Sequence, residues 1–173
     1  MVSLRKIMKI IHGFRLSAPE VSGYPDTVRI YNGNTGDMLL YESTRFRTNP
    51  NPNKPSTQQP WYKVYAQIAP TNEQGIPWKC VETIKRGRCI ALNDEGPVAT
   101  TGPDPNNEGK AFATAVLIHC GFSDTWPGSM ACQTIFPADW AAFISHFTLG
   151  ESGIYILTDE TVSEEEQTIM ESL

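Results

Sequence analysis

Positive charge is scarce in this sequence, and it forms no cluster. The 173 residues include 14 Lys and Arg against 19 Asp and Glu, which gives a net charge of −5. Six of the acids lie in residues 158–173, a stretch without Lys or Arg, so the rest of the chain is close to neutral. Recognition of nucleic acid needs a basic patch, often with aromatic side chains between the cations. The sequence therefore predicts no nucleic-acid partner.

Long apolar runs are also missing. A helix that crosses a bilayer needs about 20 consecutive apolar residues, and no stretch of the chain approaches that length. The first residues, MVSLRKIMKIIHGF, are basic, but their apolar part is too short for the core of a secretory signal peptide. We therefore expect neither a membrane span nor a Sec signal.

Cysteine and histidine are few, and their spacing fits no metal motif. Structural zinc sites use close pairs such as CxxC, whereas Cys80, Cys89, Cys120 and Cys132 are all farther apart. Four cysteines are also too few for a dense disulfide framework in a chain of this length. The sequence therefore predicts no metal and no cofactor.

Turn-forming residues are abundant, with 13 Gly and 13 Pro. They separate stretches in which apolar and polar residues alternate as in β-strands. Two hairpins are predicted, over residues 27–43 and 78–93, the first around Asn32-Gly33. Further strands are predicted at residues 61–69, 112–119 and 153–157. The segments 48–60 and 96–110, rich in Pro, Gly and Asn, are predicted to be loops.

A single helix is expected near the end of the chain. Pro137 suits a first helical turn and Asp139 complements the helix dipole there. Apolar residues then follow at helical spacing, at Trp140, Phe143, Ile144 and Phe147. The predicted fold class is therefore mainly β with one short α-helix. The predicted organisation is an N-terminal segment (1–25), one domain (26–157) and an acidic C-terminal tail (158–173).

The stretch VLIHCGFSDTWPGSMACQTIF, residues 116–136, contains the residues best suited to catalysis. His119 ends one apolar run, and Cys132 begins the next after a loop of twelve residues. A thiol acts as a nucleophile in its thiolate form, and a neighbouring imidazole is the usual means of forming it. If the two strands pair, their near ends lie side by side and the imidazole reaches the thiol. The small residues before Cys132 suit a turn whose N–H groups bind an oxyanion.

The order His119, loop, Ser129-Met130-Ala131-Cys132 resembles the catalytic signature of the L,D-transpeptidases, the YkuD-like family. The chain has Met130 where many members have a second His, and Ala131 where they have Gly. Gln133-Thr134 replaces the family's usual hydrophobic–Arg pair. The likeness covers most of residues 26–157, and it implies a twisted β-sandwich of the L,D-transpeptidase type.

The resemblance also implies a cysteine enzyme that acts on peptidoglycan stem peptides as an L,D-transpeptidase or L,D-carboxypeptidase. Cys132 would be the nucleophile and His119 the base. Backbone groups at Ala131, with Ser129 nearby, would bind the oxyanion, and Gly121 or Ser123 would orient the imidazole. Trp126 is the candidate for a substrate-facing aromatic side chain. Without a Sec signal, delivery to the periplasm or wall would use a secretion system or a phage, and an immunity or inhibitor protein is a conceivable partner.

Other interpretations stay open. The same fold could serve as an inert wall-binding or structural module, in which His119 and Cys132 are merely a structural pair. Asp124 would complete a Cys–His–Asp triad, although its position in a polar loop favours turn chemistry. Cys120 should point away from the side of the sheet that His119 faces and pack in the core. A papain-like protease is disfavoured, because its Cys precedes its His.

Overall fold

The fold is mainly β, as the sequence predicts. The computed structural model describes residues 8–18, 21–50, 67–104, 107–125, 128 and 131–161, without the side chains of 41–43. Trp126, Ser129, residues 61–66 of the predicted strand at 61–69, most of the loop at 48–60 and most of the acidic tail lie outside these residues. The strands are β1 Lys9–Arg15, β2 Asp26–Asn32, β3 Met38–Arg47, β4 Ile76–Thr83, β5 Gly87–Leu92, β6 Val98–Asp104, β7 Lys110–Ala113, β8 Leu117–Cys120, β9 Gln133–Ile135 and β10 Ser152–Asp159.

Eight strands close into a barrel in the order β1-β10-β4-β5-β8-β9-β3-β2, where a sandwich was expected. Closure depends on β1, which comes from the segment predicted to precede the domain. β1 pairs in parallel with β10 and antiparallel with β2, so it joins the two ends of the sheet. Residues 9–15 are therefore part of the barrel.

Both predicted hairpins are present, as β2–β3 and β4–β5. Two other predictions are wrong. The expected loop at 96–110 contains β6, which pairs with β7 in a separate two-stranded sheet. The expected single strand at 112–119 is broken into β7 and β8, because Ala115 adopts a positive φ of 55° that ends one strand before the next begins.

Apolar side chains form two clusters, one on each side of the barrel wall. The inner cluster fills the barrel and includes Ile30, Phe46, Trp78, Ile118 and Tyr155. The outer cluster is small and lies on the outside of β5 and β8. It consists of Cys89, Ala91 and Leu117, with Val81, Cys132 and Trp140 packed against it.

The predicted helix is present as α1, Pro137–Ile144, with Pro137 in its first turn. It ends at Ile144, so Phe147, the last residue of the predicted helical spacing, follows it outside the helix. Phe143 and Phe147 belong to the inner cluster, whereas Trp140 contacts both clusters. The helix thus covers the part of the barrel that contains β8 and β9, where His119 and Cys132 lie.

A charged network is buried beside β1 and β10. Arg15 is 0 % exposed and donates a 3.1 Å hydrogen bond to Asp159. It also donates to the hydroxyl and the carbonyl of Thr48, and that hydroxyl donates to Asp26. Buried charges are tolerated when they are paired and hydrogen bonded, and this network ties β1 and β10 to the end of β3.

Candidate active site

His119 lies in β8 and Cys132 directly precedes β9, and these two strands pair in parallel. Ile118 is opposite Gln133 and His119 is opposite Thr134. The twelve-residue connection 121–132 is the crossover that such a pair requires. The expectation that near ends lie side by side is therefore wrong. Cys132 is level with the start of β8 and His119 lies about 6.6 Å farther along, at about 3.3 Å per residue.

The two side chains nevertheless share one side of the sheet. Side chains alternate along a strand, so Ile118 and Ile135 point into the barrel while His119 points outward. The half-buried thiol of Cys132 packs against the outer cluster. Parallel pairing thus keeps the imidazole and the thiol on the outer face, without a hydrogen bond between them among the described contacts.

The thiol of Cys132 is in contact with the backbone of the segment before β8. The Leu117 N–H donates to its Sγ at 3.3 Å, and Sγ lies 3.8 Å from the Ala115 carbonyl oxygen. Burial raises the pKa of Cys132, while the Leu117 N–H and the charge of Arg86 act in the opposite direction. The group at rest is therefore a thiol, with two features beside it that favour the thiolate.

The imidazole of His119 is 1 % exposed and is oriented by the backbone. Its Nδ1 lies 2.7 Å from the Cys120 carbonyl oxygen and 3.2 Å from Nη1 of Arg86. One nitrogen cannot both donate to the carbonyl and accept from the guanidinium, and the shorter contact favours donation to Cys120. That tautomer leaves Nε2 with a lone pair, and Nε2 has no hydrogen-bond partner among the described groups.

Burial, with the nearby charge of Arg86, lowers the pKa of His119 to about 4. The imidazole is therefore neutral at physiological pH, as a proton acceptor must be. Thr134, the residue opposite His119, also has a buried hydroxyl without a hydrogen-bond partner in the described part of the chain.

A cavity of about 280 Å³ opens in front of Cys132. Its lining includes Arg86 from the β4–β5 turn, Gly128 and Ala131 from the crossover, and residues of the β6–β7 sheet such as Asp104. Arg86 was not predicted as a site residue. It lies within the second predicted hairpin, residues 78–93, but the pattern of a hairpin does not indicate which part of the barrel its turn approaches.

Gln133 holds the crossover from inside the barrel. Its Nε2 donates to the carbonyls of Ala131 and Thr48, at 3.3 and 3.1 Å, and its Oε1 accepts from the Tyr155 hydroxyl at 2.8 Å. Gln133 thus fixes the backbone directly before Cys132. The Thr48 carbonyl also accepts from Arg15, which links the buried charged network to the site.

The remaining predicted site residues lie around the crossover. Ala131 lines the cavity. Gly121 and Ser123 contact Tyr24 and not the imidazole: the Tyr24 hydroxyl donates to the Ser123 carbonyl at 2.6 Å. The carbonyl that contacts His119 is that of Cys120, one residue earlier than the two candidates. Cys120 is half-buried at the strand end and belongs to neither apolar cluster, and exposed Asp124 has no described contact with His119.

The backbone beside the cavity adopts rare conformations. Asn93, Asp94, Glu95 and Ala115 all have positive φ, between 50° and 64°. The Ala115 N–H donates to the Glu95 carbonyl at 2.9 Å, so the two unusual segments support each other. Such conformations cost free energy and often accompany functional sites. Here they bring the Ala115 carbonyl close to Sγ of Cys132.

We expect Gly121→Ala to lower the free energy of unfolding by about 1–3 kcal/mol, the usual cost of overpacking. A Cβ at Gly121 would lie 1.8 Å from the Tyr24 hydroxyl oxygen, so Tyr24 or the crossover would have to move. Gly102→Ala is the matched control, because a Cβ there meets nothing within 4 Å. Urea denaturation of both variants measures the difference, and equal stabilities would contradict the close contact.

Folding stability is expected to fall as the pH drops from about 6.5 to about 4, the pKa values of His119 in a peptide and in the fold. Between these two pH values His119 is protonated in the unfolded chain and still neutral in the folded protein. The free energy of unfolding therefore decreases progressively as the pH falls through this range. Between pH 7 and pH 4, the free energy of unfolding of His119→Gln should decrease by about 1–3 kcal/mol less than that of the unmodified protein.

His12→Gln is the matched comparison for this pH dependence, since burial and Arg29 also lower the pKa of His12 to about 4. His12→Gln should reduce the loss of stability between pH 7 and pH 4 by a similar amount. The double variant His12→Gln, His119→Gln should reduce it by the sum of the two amounts. Identical slopes for His119→Gln and the unmodified protein would show that His119 titrates normally.

Comparisons with protein-family models, with curated proteins and with solved structures found no match to this chain. The described residues contain no helix long and apolar enough to cross a membrane. Among the same residues, no three His, Cys, Asp or Glu side chains are grouped so that they could hold a metal ion.

Proposed function

We infer that the protein is a cysteine-dependent acyl-transfer enzyme. Its proposed substrates are peptidoglycan stem peptides, on which it acts as an L,D-transpeptidase or L,D-carboxypeptidase. One observation carries this proposal: the Cys132 thiol lines a cavity of about 280 Å³ on the same side of the sheet as a neutral imidazole. The order of these residues in the sequence, which resembles the L,D-transpeptidase signature, supplies the substrate class.

In the proposed reaction, Nε2 of His119 accepts the thiol proton while Sγ of Cys132 attacks the carbonyl carbon of the peptide bond before the terminal D-Ala. The imidazolium then returns the proton to the leaving amine, and an acyl-thioester stays on Cys132. Attack on the thioester by water completes a carboxypeptidase cycle, whereas attack by an amine completes a transpeptidase cycle. The thiol is regenerated in both cases.

The electrostatics favour general-base catalysis over a stored ion pair. With the pKa of Cys132 raised and that of His119 at about 4, the resting pair is thiol and imidazole. The Leu117 N–H and the charge of Arg86 stabilise the sulfur as negative charge develops on it. Catalytic hydrogen bonds are often long or poorly aligned in ligand-free enzymes and tighten when substrate binds. The proposed contact between Nε2 and Sγ therefore forms in the substrate complex.

The test is incubation of the purified protein with defined stem tetrapeptides, followed by mass spectrometry. The proposal predicts loss of D-Ala, or its exchange for another D-amino acid when one is added, and it predicts that His119→Ala abolishes both. The masses also distinguish hydrolysis from transfer. An unchanged tetrapeptide, or full turnover by His119→Ala, would contradict the proposal.

A second candidate function, an inert wall-binding or structural domain, is favoured by the absence of a described hydrogen bond between His119 and Cys132 and by the raised pKa of the thiol. Iodoacetamide labelling at Cys132, with and without a stem tetrapeptide, distinguishes the two. In an inert domain, Cys132 should carry only the mass of the alkylating reagent. In the enzyme, the stem should acylate Cys132 and so protect it from alkylation.

A further inference from the structure

We propose that Arg86 is the anion anchor of the cavity, where it binds a carboxylate of the ligand beside the Cys132 thiol. The proposal rests on the proposed function, and it specifies that the acyl donor carries a free carboxylate close to the reacting carbonyl. In a stem tetrapeptide the terminal D-Ala supplies such a group. The family's usual motif arginine is missing here, since Thr134 follows Gln133.

The β4–β5 turn holds Arg86 in place. The Arg86 N–H donates to the Thr83 hydroxyl at 3.0 Å, and that hydroxyl donates to the Gly87 carbonyl at 3.4 Å. Gly87 has a φ of +66°, which glycine adopts without strain. The turn is therefore fixed by its own contacts, and the Arg86 side chain extends from it to the cavity wall that it shares with Cys132.

The guanidinium retains capacity for a ligand. The ion pairs among the described residues use Lys9, Arg15, Arg45 and Lys110, and none uses Arg86. The described contact of the Arg86 side chain is with Nδ1 of His119, a nitrogen that donates to the Cys120 carbonyl in the favoured tautomer. A guanidinium has five N–H donors in a fork that matches a carboxylate.

Acidic groups near the cavity define where an anion fits. Asp104 lines the same cavity and is 5 % exposed, and the charge of Glu95 adds to the raised pKa of Cys132. A carboxylate in the cavity is therefore more favoured beside Arg86 than beside Asp104. This orients the ligand with its anionic end at the β4–β5 turn.

Binding of a carboxylate at Arg86 would also make His119 a stronger base. Burial is the main cause of the low pKa of His119, and the positive charge of Arg86 lowers it further. A carboxylate that pairs with the guanidinium offsets this charge and makes Nε2 more basic when substrate is present. Stems with a free terminal carboxylate should therefore react faster than the same stems with a terminal amide.

Two alkylating reagents test the anchor without relying on turnover. Iodoacetate carries a carboxylate and iodoacetamide is its neutral analogue, and both react with the same thiolate. The ratio of their rates at Cys132, measured by peptide mass spectrometry, therefore reports anion binding and cancels changes in thiol pKa. Arg86→Gln is expected to lower this ratio about tenfold, a change that corresponds to one charged hydrogen bond.

Three controls accompany this measurement. Arg86→Lys keeps the charge and should keep most of the ratio. Arg88→Gln makes the same change of charge in the same hairpin, at a side chain that donates to the Phe147 carbonyl at 3.3 Å, and should leave the ratio unchanged. The ratio at Cys120 should be the same in all variants.

The outcomes separate the anchor from the enzyme. An unchanged ratio in folded Arg86→Gln, as judged by its thermal transition, overturns the anchor even if stems are cleaved. If Arg86→Gln lowers the ratio of the iodoacetate and iodoacetamide rates but the unmodified protein releases no D-Ala, the anchor is supported and the proposed function is contradicted. Equal rates on carboxylate and amide stems in an active protein also overturn the anchor.

Discussion

Replacing Cys132 with alanine is expected to reduce the release of D-Ala from stem tetrapeptides by at least about 10⁴-fold, to the background rate. Removal of a nucleophile eliminates the covalent pathway, and losses of this size or larger are measured when nucleophiles of hydrolases are removed. The measurement is a steady-state rate by mass spectrometry or by a coupled D-amino acid assay. Cys132→Ala should remain folded, because its half-buried side chain packs against the small outer cluster.

Cys120→Ala is the matched control for this loss. It removes the same group from the end of β8, next to His119, at a half-buried position whose Sγ contacts the Gly121 carbonyl at 3.4 Å. It should leave the rate unchanged. If Cys120→Ala abolishes release and Cys132→Ala does not, the assignment of the nucleophile is wrong.

Replacing Arg15 with methionine is expected to lower the free energy of unfolding by about 3–5 kcal/mol, the cost of removing one partner of a buried ion pair. Arg15 and Asp159 are 0 % and 4 % exposed, and methionine would leave the Asp159 carboxylate buried without its cation. The Thr48 hydroxyl would lose its hydrogen bond from Arg15 as well, and the Thr48 carbonyl would keep only Gln133 among its described donors. Urea denaturation at neutral pH measures the effect.

The double variant Arg15→Met, Asp159→Leu should recover part of the lost stability, because neither charge is then buried. Arg45→Met serves as the control: it removes the cation of an ion pair with Asp139 in which the Arg45 side chain is 51 % exposed, and its loss should lower the free energy of unfolding far less than the loss of Arg15. Similar losses of stability for Arg15→Met and Arg45→Met would contradict the importance of the buried network.

Local chemistry made the hairpins and α1 predictable. Asn32-Gly33 and Gly87 mark the two turns, and the spacing of Trp140, Phe143 and Phe147 marks one helical face. Closure of the barrel was not predictable in this way. It depends on β1, whose residues read as a short basic and apolar segment, and on its parallel pairing with β10 far along the chain.

The site was predictable in part for the same reason. The types and order of His119 and Cys132 indicate their chemistry, and the structure places them on one side of the sheet. Periodicity along a strand cannot distinguish parallel from antiparallel pairing, so the distance between them was misjudged. Arg86 and Gln133 reach the site from the β4–β5 turn and from the barrel interior, and only the closed fold shows these approaches.

Capture of the covalent intermediate tests the assignment of Cys132 most directly. A rapid acid quench of the protein with a stem tetrapeptide, followed by mass spectrometry of its peptides, should find Cys132 carrying the stem without its terminal D-Ala. Hydroxylamine should remove this adduct as it does other thioesters, and Cys132→Ala should lack it. Release of D-Ala with no adduct at Cys132, or with the adduct on Cys120, would contradict the proposed mechanism.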